Sequence, residues 1–120
     1  MSDKSEFSMR AAYEQFLEEV IGTDIVWGIS DGEIWATCDS EDFDEREVIP
    51  FWSNEYLAAK LCTDDWAAFK PTPIRFDEFI DDWLHGMHED NVLAGVNWNE
   101  SLEGAEIEPV LLIDDLLDEE

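Results

Sequence analysis

The sequence predicts an α+β fold, one domain in which helices pack on a mixed or mostly antiparallel sheet of about four to five strands. Three observations lead there. An Asp31-Gly32 pair stands between the alternating runs IVWGIS and EIWATC, the signal of a β-hairpin. The run VLAGVNW, from Val92 to Trp98, is apolar on both faces, as a central strand is. Elsewhere apolar residues recur at helical spacing, most regularly from Phe76 to Met87.

In chain order, residues 1–7 read as a flexible end and 8–120 as the domain. Ser8 is placed to cap a first helix with apolar residues at Met9, Tyr13, Phe16, Leu17 and Val20, and Gly22 supplies a stop. In the hairpin, a two-residue turn pairs Ser30 with Glu33. Ile25, Trp27 and Ile29 then share the core face with Ile34, Ala36 and Cys38, while Trp35 covers Gly28 on the other face. Asp39 to Glu47 reads as a solvated acidic loop. Val48 to Trp52 contains Pro50 and so reads as an edge or bulged strand.

Ser53 is positioned to cap a helix carrying Tyr56, Leu57 and Leu61. Thr63 caps a further turn, with Trp66 and Phe69 inward, which Pro71 and Pro73 end. Ile74 to Phe76 makes a brief strand, and Asp77 caps the helix whose stripe is Phe76, Phe79, Ile80, Trp83, Leu84 and Met87, with Gly86 near its stop. After the central strand, a last helix starts at Pro109, a favoured first helical position, and carries Val110, Ile113, Leu116 and Leu117.

Charge sets the functional bounds. Thirty-two acidic residues against six basic ones give a net charge of −26. Phosphate neutralisation needs the opposite sign, so direct nucleic-acid binding is excluded as an expectation, and so is attraction to an anionic membrane. A basic partner protein, or bound cations, fits better. Self-repulsion at this charge is relieved by salt. Cys38 and Cys62 match no zinc or redox spacing, and the start of the chain has no apolar signal core, so free thiols and a cytoplasmic location are expected.

Few residues suggest chemistry. His85 and His88 stand i, i+3 and are the candidate metal ligands, but Gly86 between them predicts a broken helix and no third ligand is near in sequence; no metal is expected. DSEDFDERE from Asp39 resembles a calcium loop in composition, yet the sixth position is Asp44 where a glycine belongs and the twelfth is Pro50. Neither G-x-G-x-x-G nor the Walker pattern occurs, so no cofactor is expected. Ser53 lacks the G-x-S-x-G elbow, which argues against a hydrolase. Of the six tryptophans, Trp27, Trp66 and Trp83 fall on predicted core faces, whereas Trp35, Trp52 and Trp98 do not. Trp98, between Asn97 and Asn99 at the end of a central strand, leads to one candidate pocket: Trp52, Ser53, Asn97, Trp98 and Asn99.

The strings VWGISDGEIWATCDS, VIPFWSNEYLAA and FDEFIDDWLHGMHEDNVLAGVNWN resemble the bacterial family catalogued as Domain of Unknown Function 2750, from about Tyr13 onward. PFWS (Pro50 to Ser53) and GVNW (Gly95 to Trp98) are the most specific parts. The resemblance implies no activity and transfers no catalytic residue. The order of elements is also loosely similar to SseB-type α+β domains.

The composition favours a non-enzymatic interaction or inhibitory module whose acidic surface, formed by Asp39, Glu41, Asp42, Asp44, Glu45 and Glu47, binds a basic partner. The alternatives are a small-molecule binder or enzyme at the Trp98 pocket, a housekeeping domain with a salt-adapted surface, and a nucleic-acid mimic. For the last, net charge averages about one per 260 Å² of expected surface, against about one per 110 Å² on duplex DNA. Mimicry therefore requires the Asp39 to Glu47 loop, the aspartates at 77, 81 and 82, and the run from Asp114 to Glu120 to share one face.

Overall fold

The computed structural model describes residues 9–40, 46–63, 66–99 and 104–117. Ser8, the residues from Glu41 to Glu45 and the final three residues lie outside them, so the expectations placed there have no structural counterpart. The order is α1 (Met9–Thr23), β1 (Ile25–Ser30), β2 (Cys38–Asp39), β3 (Glu47–Phe51), α2 (Glu55–Ala59), β4 (Lys70–Arg75), α3 (Phe76–Glu78), a π-helical segment (Phe79–Leu84), α4 (His85–Asp90), β5 (Leu93–Val96), β6 (Ala105–Ile107) and α5 (Pro109–Leu117). The fold is α+β, with strands in two sheets, β1-β4 and β2-β3-β5-β6. Among the described residues, no helix is long and apolar enough to cross a membrane.

A reciprocal backbone pair joins the sheets: Trp27 N–H donates to Trp52 O (2.8 Å), and Trp52 N–H donates to Trp27 O (2.7 Å). β3 and β5 run parallel, with Pro50 opposite Gly95 and Phe51 opposite Val96; every other named pairing is antiparallel. Both faces are covered. Val26, Phe51, Ala94 and Val96 point to one core, beneath α1, the Phe76 to Asp90 helix and α5. Ile29, Val48, Trp52 and Leu93 point to the other, beneath α2 and the Trp66 turn. The alternation along each strand is the period of two expected of a sheet. Each fully buried aliphatic or phenylalanine side chain contributes about 1.5–3 kcal/mol.

The hairpin differs from expectation. Asp31 Oδ1 accepts from the N–H groups of Glu33 and Ile34, and Asp31 N–H reaches Ile34 O. This makes a wider loop, so Ser30 pairs with Trp35 and Ala36 N–H bonds Ile29 O. Ile34 is thereby exposed rather than in the core. Trp35 still covers Gly28, but from a diagonal position and within the first core, edge-on to Trp83 at 4.7 Å.

The prolines also differ from expectation. Pro71 and Pro73 lie inside β4, opposite Ile29 and Trp27. Trp27 directs its own N–H and C=O to Trp52, so its pairing with Pro73 carries no hydrogen bond, and the missing N–H faces away from β1. Pro50 is not on an edge strand, because β3 lies between β2 and β5. Its ring nitrogen faces the gap between the end of β2 and the Trp27 bridge, where no donor is required.

Helix boundaries follow left-handed Asp and Asn residues rather than the glycines. α1 runs through Gly22 to Thr23, and Asp24 takes φ 64°; α4 runs through Gly86 to Asp90, and Asn91 takes φ 65°. Asn54, not Ser53, caps α2, accepting from Leu57 N–H at 2.8 Å, and Tyr56 is exposed. Arg75, not Asp77, precedes α3. The stripe from Phe76 to Met87 does face the core, and the π-helical segment keeps Phe79, Ile80 and Leu84 buried together. In α5, Pro109, Leu112 and Leu116 are buried while Val110 and Leu117 are exposed, which rotates the expected stripe. β6 had no sequence signal.

Gly95 should be intolerant of a methyl group. A Cβ there would lie 2.6 Å from Trp98 Cε2, and the ring has no free side because a Cβ on Gly104 would meet Trp98 Cδ1 at 2.3 Å. Gly95→Ala is expected to destabilise by roughly 1–3 kcal/mol in urea unfolding. Gly22→Ala, where a Cβ meets nothing within 4 Å, should instead stabilise by roughly 0.5–1 kcal/mol. Equal midpoints for the two variants would contradict this packing.

Candidate functional site

The five residues proposed as a pocket do come together, where β3 and β5 end side by side. The parallel register delivers Trp52 and Ser53 next to Asn97 and Trp98. Asn97 takes φ 48°, a left-handed conformation that asparagine tolerates, and this turns the chain out of the strand. Asn97 N–H donates to Phe51 O at 2.8 Å. Its side chain grips the neighbouring turn: Oδ1 accepts from Ser53 N–H at 2.9 Å, and Nδ2 donates to Ser53 Oγ at 3.1 Å and to Ala12 O at 3.2 Å.

The tryptophans close the same corner. Trp52 Nε1 donates to Trp98 O at 2.9 Å, and Trp98 Nε1 donates to Ala105 O at 3.0 Å. Trp52 is 0% exposed and Trp98 5%, so two of the three tryptophans with no predicted core position are buried. Trp98 folds back over Gly95. The segments PFWS and GVNW thus bind one another.

Glu19 is the member that sequence reasoning missed. It accepts from Ser53 Oγ at 2.6 Å and Asn54 Nδ2 at 2.9 Å through Oε1, and from Gln15 Nε2 at 3.2 Å through Oε2. Burial pushes its carboxyl up, but these three donors outweigh that and hold it below the usual carboxylate range. Its position one residue before Val20, on the border of the apolar stripe of α1, was the available signal. Arg46 was missed likewise. It donates to both Glu108 carboxylate oxygens, at 2.8 and 3.1 Å, and to Asn91 O at 3.0 Å, tying β3 to the ends of α4 and β6. The hydrogen bonds from Arg46 lower the Glu108 carboxyl.

Only part of the corner meets solvent. A cleft of about 250 Å³ is lined by Ala12, Gln15, Leu57, Lys60, Leu61 and the Asn97 to Asn99 turn. Trp52 and Ser53 lie beneath it, with Ser53 2% exposed. Small-molecule pockets usually measure about 300–1,000 Å³. Ser53 has a carboxylate partner but no histidine, and its hydroxyl is engaged in the corner's own bonds.

The remaining candidates lie apart. His85 and His88 are exposed on the unbroken α4, so Gly86 does not splay them, and among the described residues no three His, Cys, Asp or Glu side chains are grouped to hold a metal. Neither cysteine is in a disulfide and both are half-buried; burial pushes the Cys62 thiol up. Of the acidic surface, Asp39 and Glu47 face each other, exposed, across the β2-β3 pair; Glu41, Asp42, Asp44 and Glu45 lie outside the described residues.

Glu19→Ala should destabilise by roughly 1–3 kcal/mol, because it leaves the buried Ser53 hydroxyl without its charged acceptor. The depressed carboxyl has a pH consequence. Its stabilisation is present above the unfolded-state value of about 4.5 and is lost as pH falls through the lower folded value. Urea unfolding at pH ~7 and pH ~3 should show a larger loss for wild type than for Glu19→Gln; equal losses would contradict the network.

Both interlocked segments fall inside the stretch that matches a known protein family. No curated protein and no solved structure matches the chain. Residues 13–116 match the family described as Protein of unknown function (DUF2750), and the chain belongs to that family.

Proposed function

We propose that this protein is a non-enzymatic interaction module that binds, and by binding blocks, a basic partner protein. The observation supporting this is the size of the net negative charge. It is −26, and six basic residues can pair with no more than a small part of the thirty-two carboxylates; Glu14, Asp77 and Glu108 are among those paired. The pairs of Arg10 with Glu14 and Arg75 with Asp77 are solvent-exposed and contribute little. The field of the remaining carboxylates is directed outward, where it raises the encounter rate with a cationic surface and repels an anionic one.

The Trp98 corner supports the competing small-molecule reading less well. Its polar atoms bond one another, and its cleft is small. A corner that holds the fold together leaves function to the surface.

The test is affinity capture. The immobilised protein is offered whole lysate at low salt and again near 1 M salt, and the retained proteins are identified. The reading expects a retained set dominated by basic proteins, released as salt rises, and weakened by paired Asp81→Asn and Asp82→Asn or by paired Asp39→Asn and Glu47→Gln. Release by added duplex DNA would favour the nucleic-acid-mimic form of the reading. Retention of neutral or acidic proteins insensitive to salt would overturn it.

A further inference from the structure

Five large apolar side chains are exposed among the described residues, and three of them, Val110 at 38%, Leu111 at 52% and Leu117 at 58%, lie on α5. Scattered exposed leucines need no explanation, but an apolar sector on one short helix does. At about 100° per residue, Val110, Leu111, Asp114 and Leu117 fall within roughly 120°, opposite the stripe of Pro109, Leu112 and Leu116 that enters the core. α5 therefore carries apolar residues on both its buried and its outer face. The helices it packs against, α1 and α4, expose carboxylates at Glu14, Glu18, Glu89 and Asp90. The strip itself carries exposed Asp114.

From this juxtaposition we infer that the outer face of α5 is the docking strip for a basic amphipathic helix of the partner, its apolar residues on Val110, Leu111 and Leu117 and its lysines or arginines toward the surrounding carboxylates. The inference rests on the basic-partner reading and names its site. Charge selects the occupant. A second copy would bring another −26 against the first, and an anionic membrane is repelled in the same way. A basic helix satisfies both the apolar sector and the acidic surroundings, in the manner of a helix read through i, i+3, i+4 and i+7 anchors.

The probe is a synthetic peptide with leucines on one helical face and lysines on the other, beside a control of identical composition whose leucines are scattered. Binding is followed by fluorescence anisotropy of the labelled peptide. The amphipathic peptide should bind at least tenfold more tightly than the control, and Leu111→Gln and Leu117→Gln should each weaken it roughly tenfold. Both leucines are exposed, so the variants should keep the wild-type thermal midpoint, which circular dichroism checks. Equal binding of both peptides, unchanged in the variants and abolished by salt, would overturn the strip while leaving the basic-partner reading standing. No binding of either peptide at low salt would sink both. Self-association abolished by Leu111→Gln would assign the strip to a second copy and overturn the inference.

Discussion

The fold depends on the joint where β3 and β5 end. Trp52 is the residue most heavily used there. Its backbone bridges to Trp27 in the other sheet, its indole N–H bonds the Trp98 carbonyl, and its ring fills the second core. Asn97 supplies the complementary half, holding Phe51, Ser53 and Ala12 through its backbone and side chain. A buried amide left without partners is expensive, so a fully bonded corner fixes one arrangement of the chain. The two short sheets have few ladder bonds of their own, and this joint converts them into one covered layer.

The joint also reaches outward. Through Ala12 and Glu19 it positions α1, and through Ala105 it places the strand that leads into α5. Cohesion of this kind matters in a chain whose charge of −26 opposes compaction. Uncharged burial and buried hydrogen bonds must offset a repulsion that acts on the whole surface.

Much of this was legible in the sequence, and the failures have identifiable causes. Core stripes read well where burial was strong, as in the stripe from Phe76 to Met87, and the apolar run at Leu93 to Val96 is the central strand it resembled. The hairpin register failed because Asp31 folds its side chain onto two backbone N–H groups, an option that an Asp-Gly pair does not announce. Helix ends failed because Asp24 and Asn91 adopt the left-handed conformation that was assigned to nearby glycines. Pro71 and Pro73 looked like strand breakers, yet their alternation puts both missing N–H groups on the unpaired edge of β4. The five residues of the corner were legible from Trp98 and its flanking asparagines at the end of a central strand. Their role was not, because whether Trp52 and Trp98 line a pocket or seal a joint depends on Gly95 and Gly104, whose lack of side chains lets the Trp98 ring lie flat.

Native-state hydrogen exchange of the Trp52 indole N–H measures the joint directly, since that proton can leave only when the bond to the Trp98 carbonyl opens. If the fold depends on this corner, the proton exchanges in the slowest class, with an opening free energy equal to that of global unfolding and the same denaturant dependence. Exchange through a smaller opening, while the amides of β1 and β5 stay protected, would contradict the account: the two sheets would then persist without the joint.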